Sequence, residues 1–157
     1  MIKFLVMDVD GTLTDGKIYM GNSGEMMKAF NIKDGCGIHD LLPQNNILPV
    51  IITGRKSAIL ENRCRELGIT ELHQGISDKL DKLDEILKKY NGIYENVAYI
   101  GDDINDLDCM NMISQRGGIV GSPRDAVKQV KEIASFVSEK NGGDGAVREF
   151  IEWIRQL

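Results

Sequence analysis

The apolar run Ile2-Lys3-Phe4-Leu5-Val6-Met7 ends abruptly in Asp8-Val9-Asp10-Gly11-Thr12. Such a run predicts a buried strand, and the glycine predicts a turn directly after it. Two carboxylates are thereby delivered to one end of a sheet. Close carboxylates repel, so one must take a proton or a cation must lie beside them. A second apolar run, Val97-Ala98-Tyr99-Ile100, ends the same way in Gly101-Asp102-Asp103-Ile104-Asn105-Asp106. Two acidic strand ends in a chain of 157 residues point to a hard, oxygen-ligated cation, Mg²⁺.

The rest of the chain alternates in the same way. Strands are predicted at 2–8, 47–52, 71–75, 97–101, 117–120 and 135–137. Between them, Leu60, Cys64 and Leu67 fall at helical spacing, as do Leu80, Leu83, Leu87 and Tyr90 in a helix near 78–90. Further helices are predicted near 35–43, 104–112, 124–133 and 145–156. This order predicts an α/β fold, a Rossmann-like doubly wound parallel sheet with right-handed crossovers, over one domain spanning 1–157. Ligands of such sheets collect at the carboxyl ends of the strands. Only residues 13–30 break the alternation. Lys17–Tyr19 and Glu25–Phe30 predict a β-hairpin arm around Gly21-Asn22-Ser23-Gly24, with an irregular surface loop as the alternative.

Composition narrows the chemistry. The formal net charge is −5, and no basic stripe interleaved with aromatics is present, which argues against nucleic acid as a partner. No apolar segment approaches the ~20 residues needed to cross a bilayer, and no secretory pattern is seen, so a cytoplasmic protein free of membrane is expected. Cys36, Cys64 and Cys109 show no CxxC spacing and are expected to be reduced thiols. Only His39 and His73 are available for histidine chemistry. The work must fall to carboxylates.

Taken in chain order, the strand ends suit phosphoryl transfer. Asp8 can attack phosphorus as a nucleophile, and Asp10 can protonate the leaving alcohol and later activate water. Thr53-Gly54 offers a hydroxyl and backbone N–H groups to phosphate oxygens. Lys79 opens a helix and offsets charge on the transferring group. Asp102 supplies a further metal carboxylate, while Asp103 and Asp106 would orient metal-bound waters and Lys79. Each feature alone has an ordinary structural explanation: a turn, a loop dipeptide, a solvated lysine, a helix cap. Their joint occurrence at successive strand ends does not.

These residues resemble the haloacid dehalogenase-type phosphatase superfamily, whose four motifs match Asp8-Val9-Asp10-Gly11-Thr12, Thr53, Lys79, and Gly101-Asp102-Asp103 with Asp106. Asp10 is similar to the phosphatase branch. The resemblance implies Mg²⁺ held by the Asp8 and Asp102 carboxylates and the Asp10 main-chain carbonyl. A closer likeness runs through Asp15-Gly16, Phe30-Asn31-Ile32-Lys33-Asp34-Gly35, Thr53-Gly54-Arg55-Lys56, Arg63-Cys64, Gln74-Gly75 and Gly142-Gly143-Asp144-Gly145-Ala146-Val147-Arg148-Glu149. These stretches resemble the 3-deoxy-D-manno-octulosonate 8-phosphate phosphatase family.

That resemblance implies no separate cap domain and a homotetramer in which a neighbour's hairpin arm and glycine-rich C-terminal segment cover the site. It implies a phosphorylated sugar acid as substrate, with contacts from Thr12, Gly54, Arg55, Arg63, Asn105 and Arg148. Arg55 and Arg63 are the candidates for its carboxylate, since the planar guanidinium can bind both oxygens. It further implies a place in lipopolysaccharide biosynthesis, with a capsule acid as the open alternative. Phosphatases of nine-carbon sialic-type acid 9-phosphates resemble the chain almost as well, although Arg55 favours the eight-carbon substrate. A non-catalytic assembly domain, like those attached to sialic acid cytidylyltransferases, and a phospho-accepting receiver domain are further readings. The first has no need of the complete acidic set, and the second has no need of Asp10.

Overall fold

The structure, a computed structural model, describes residues 1–157. Six parallel strands form one sheet: β1 (Phe4–Met7), β4 (Leu48–Ile52), β5 (Glu71–His73), β6 (Val97–Ile100), β7 (Ile119–Ser122) and β8 (Phe136–Val137). Their order is β5-β4-β1-β6-β7-β8, so the two strands that end in aspartates, β1 and β6, are neighbours at the centre. β1 pairs with β6 in the register Phe4↔Val97 to Met7↔Ile100, which brings Asp8 and Gly101 level with one another. The predicted α/β sheet is present, and each crossover carries helix.

Alternation along the central strands divides the core in two. Leu5, Met7, Ala98 and Ile100 face one side. There they meet α3 (Ala58–Glu66), α7 (Ala146–Ile154) and the helical stretch from α1 (Ile32–Cys36) through a π-turn at Gly37–Leu41 to α2 (Leu42–Gln44). Phe4, Val6, Val97 and Tyr99 face the other, against α4 (Lys79–Lys89), α5 (Leu107–Gln115) and α6 (Lys128–Ile133). The strands are therefore apolar on both faces, as a doubly covered parallel sheet requires. No helix is long and apolar enough to cross a membrane.

Several boundaries move for identifiable reasons. The helix expected near 35–43 starts earlier, because the Asn31 side chain accepts from the Lys33 and Asp34 N–H groups and caps it. The strand expected at 117–120 runs from Ile119 to Ser122. Gly117, at φ +84°, and Gly118, whose Cβ position would lie 2.4 Å from the Tyr94 carbonyl oxygen, form the turn instead. Residues 13–30 do contain a hairpin, β2 (Tyr19–Gly21) and β3 (Gly24–Met27), joined by Asn22-Ser23. Its first strand is shifted by two residues and its second is shorter than expected, and Glu25 and Lys28 tie it to Ser57 and Asp10, in the loops that follow β4 and β1.

Candidate active site

The loop after β1 is wound tightly around one acceptor. The Val9 carbonyl takes the N–H groups of Thr12, Leu13 and Thr14 at 3.1, 2.9 and 3.0 Å. Gly11 makes the bend at φ +96°, where a side chain would stand 2.0 Å from Asp102 Oδ2. The Thr12 hydroxyl, fully buried, donates to Asp102 Oδ1 at 2.9 Å. Thr12 was expected to touch substrate; it holds the second acidic strand end instead, and nothing of it faces solvent.

Asp8 and Lys79 meet beneath this loop. Lys79 Nζ donates to Asp8 Oδ1 at 2.6 Å and to Asp106 Oδ1 at 2.7 Å, all three side chains being buried. The Tyr99 hydroxyl also donates to Asp106 Oδ1, at 2.6 Å. Asp106 Oδ2 accepts the N–H groups of Asp102 and Asp103, at 3.0 and 3.2 Å. Asp106 thus ties the lysine, the tyrosine and the 101–103 turn together, as its sequence position predicts for Lys79. Asp103 differs: it caps the short turn Ile104–Asp106 by accepting from the Ile104 N–H at 2.7 Å, and does not reach Lys79.

Burial and crowding leave the charges out of balance. Burial raises the Asp8 pKa to about 6, assisted by the charge of Asp106 and opposed by Lys79. Asp102 is driven to about 8 by burial and then by Asp8 and Asp106. Burial works against the Lys79 ammonium, yet Asp8 and Asp106 outweigh it and keep its pKa above the usual value. Oxygens of Asp8, Asp102 and Asp106 lie within 4.8 Å of one another. Asp106 has both oxygens doubly engaged and is no ligand; Asp8 and Asp102 keep free lone pairs. This donor set suits a small hard dication, which would relieve the repulsion that drives Asp102 upward.

Above the carboxylates opens a cleft of about 290 Å³, lined by Asp8, Asp10, Gly16, Thr53, Gly54, Arg55, Asp102, Asp103 and Asn105, none of them hydrophobic. Thr53 is fixed at the end of β4 by its N–H to the His73 carbonyl, 2.9 Å, and by its own carbonyl to the Ile76 N–H, 3.1 Å. Arg55 reaches the rim with Nε 3.8 Å from Asp10 Oδ2. Two arginines carried over from the family resemblance stand elsewhere. Arg63 stacks over the Phe30 ring at 5.7 Å and pairs with Glu66, and Arg148 pairs with Glu152 at 2.6 Å. The Gly142-Gly143 segment packs within its own chain: Gly143 N–H donates to the Thr12 carbonyl at 3.1 Å, and a side chain at Gly142 would overlap the Gly11 carbonyl oxygen.

Two participants escape a reading of the sequence. Tyr99 sits in an unbroken apolar strand, where it counts as core. Lys28 lies just beyond β3 and reaches Asp10 Oδ1 at 2.6 Å and Glu25 Oε1 at 2.8 Å, almost fully buried. Basic character at a hairpin end carries no signal of its own; only the folding back of the arm brings it there.

A nucleophile-placed aspartate, a second aspartate two residues on, a threonine, a lysine and a metal-suited carboxylate around one cleft define a phosphoric monoester hydrolase. The family model for haloacid dehalogenase-like hydrolases matches residues 68–151. The chain belongs to that family, alongside 3-deoxy-D-manno-octulosonate 8-phosphate phosphatases. It is 47% identical over 153 residues to KdsC of Escherichia coli K12, an alignment covering 98% of this chain and 79% of that protein. The crystal structure of the Yersinia pestis 3-deoxy-D-manno-octulosonate 8-phosphate phosphatase superimposes with a TM-score of 0.91 at 44% identity, covering 99% of this chain and 81% of that one. The Moraxella catarrhalis phosphatase of the same name, solved in complex with magnesium, phosphate and KDO, gives 0.91 at 40% identity, covering 99% and 86%.

Proposed function

We propose that this chain hydrolyses 3-deoxy-D-manno-octulosonate 8-phosphate with Mg²⁺, by way of a phosphoryl group carried on Asp8. The observation that carries the reading is the contact of Asp8 with Lys79 beneath a cleft that also holds Asp10, Thr53 and Asp102. A free Asp8 oxygen attacks phosphorus while the ester P–O bond breaks, and Asp10 gives a proton to the departing sugar oxygen. Water then attacks the acyl phosphate as Asp10 takes its proton back, freeing phosphate and restoring Asp8. Thr53 and the Gly54 N–H bind the phosphoryl oxygens, and Lys79 offsets their charge. Asp8, Asp102 and the Asp10 main-chain carbonyl would hold the magnesium, which neutralises the dianionic ester.

Arg55 is the cleft cation available to the substrate carboxylate, and Asn105 the amide available to its hydroxyls. Arg63 and Arg148 could serve only a neighbouring subunit's cleft. Exposed Met20, Met26 and Met27 on the hairpin, and exposed Ile104 between the cleft residues Asp103 and Asn105, support a neighbour-covered homotetramer, and residues 1–157 then act as one domain. The relatives named above support neither the nine-carbon nor the assembly-domain reading. Comparing kcat/KM for the eight-carbon and nine-carbon acid phosphates is the direct test. A preference for the eight-carbon ester is expected; the opposite order would reverse the substrate, and loss of neither in Asp8→Asn would remove the covalent route.

A further inference from the structure

Lys28 is an ammonium group with 4% of its side chain exposed, clamped between two carboxylates of which one is Asp10. A lysine is taken so far out of water only when its partners are fixed. The second partner is fixed: Glu25, in β3, takes Lys28 on Oε1 and the buried Ser57 hydroxyl on Oε2. Ser57 is also the N-cap of α3, accepting from the Leu60 N–H. A chain of contacts therefore runs from the start of α3 through the hairpin to Oδ1 of Asp10. Oδ2 makes no hydrogen bond of its own, and Arg55 Nε stands 3.8 Å from it.

We infer that Lys28 is a positioning residue for Asp10, pinning Oδ1 so that Oδ2 is the oxygen that exchanges the proton with the leaving group and with water. The same chain's hairpin is thereby a working part of the site, whatever a neighbour adds. The inference rests on the proton-transfer role given to Asp10 above. Loss of the contact frees the Asp10 side chain to rotate, and a misplacement of ~1 Å costs on the order of 100-fold at the reacting centre. The loss must be greatest where the leaving group needs a proton most.

The test uses two aryl esters, phenyl phosphate and p-nitrophenyl phosphate, whose leaving groups differ in their need for an acid. The readout is the ratio of their kcat/KM values, phenyl over p-nitrophenyl, in wild type, Asp10→Asn, Lys28→Met, Lys28→Arg and Glu25→Gln. Asp10→Asn lowers the ratio and sets the scale. Lys28→Met is expected to lower it by about 10-fold or more, Lys28→Arg to restore most of it, and Glu25→Gln to fall between. A protein merely loosened by the substitution would lose both activities together and keep the ratio. If Asp10→Asn lowers the ratio and Lys28→Met does not, the inference fails and the proposed function stands. If Asp10→Asn leaves it unchanged, the acid role itself is wrong. Should Lys28→Met not fold, Glu25→Gln decides, and an unchanged ratio there overturns the inference.

Discussion

Replacing Gly11 by alanine probes how closely the β1 loop is fitted to the second acidic strand end. The added Cβ would stand 2.0 Å from Asp102 Oδ2 and 2.6 Å from its Cγ, where ordinary contact begins at 3.4 Å. The Asp102 carboxylate, or the loop carrying Asp10, must give way by about 1.4 Å. Asp102 cannot simply swing aside, because Thr12 holds Oδ1 and the turn behind it is bonded to Asp106. The φ of +96° adds backbone strain of roughly 1–3 kcal/mol. For a chain of this size, that lowers Tm by about 2–12 °C. A displacement near 1 Å should also cost on the order of 100-fold in kcat.

Gly68→Ala is the control: φ there is +69°, yet nothing lies within 4 Å of the added atom. Both variants should lose stability, but only Gly11→Ala should lose magnesium affinity by calorimetry and phosphate release by assay. Equal magnesium affinity in Gly11→Ala and wild type would refute the fit argued here.

Tyr99→Phe removes one of four donors to Asp106 without changing the packing of the strand. A buried hydrogen bond to a charged group contributes ~1.5–3 kcal/mol, so denaturant midpoints should fall accordingly, and an unchanged midpoint would show that the Tyr99 hydroxyl adds nothing to the hold of Lys79 and the two backbone N–H groups on Asp106. Thr12→Val keeps the volume but leaves Asp102 Oδ1 without its donor; apparent magnesium affinity should weaken while the fold persists, and identical titration curves would exclude the contact. Glu71 ties β5 to α4. Burial pushes it up, but Lys89, Tyr90 and His73 outweigh this and bring its pKa to about 2 from an ordinary 4.5. Its contribution is therefore complete above pH 4.5 and lost as pH falls towards 2. Taken in full, the shift is worth ~3 kcal/mol, and ~1 kcal/mol once screening by solvent around the exposed Lys89 is counted. The stability gap between wild type and Glu71→Gln should shrink across that window; a gap constant with pH would show the pairing to be idle.

The sheet and its acidic ends were legible because apolar strands followed by aspartate and glycine leave few alternatives. β1 and β6 carry Asp8, Asp10, Asp102 and Asp106 to neighbouring positions, and the alternation of elements alone requires a parallel order. Local rules failed where side chains reach back onto the backbone. Asp106 bonds the N–H groups of Asp102 and Asp103, so Ile104–Asp106 is a tight turn and α5 begins only at Leu107. Roles that depend on long-range packing were not legible. Lys28 reaches Asp10 only through the fold of the hairpin. Thr12 is turned inwards by the winding about Val9, and Arg63 is drawn onto Phe30 instead of into the cleft. A residue's place in a motif fixed where its backbone lies, while its side chain answered to neighbours distant in sequence.

The claim at the centre is that Asp8 carries the phosphoryl group. Rapid quenching of the enzyme during turnover with magnesium and substrate, reduction with tritiated borohydride and peptide mapping tests it most directly. Tritium confined to the peptide bearing Asp8, and absent without substrate, is the predicted result. Turnover at the full rate with no label at Asp8 would contradict the account.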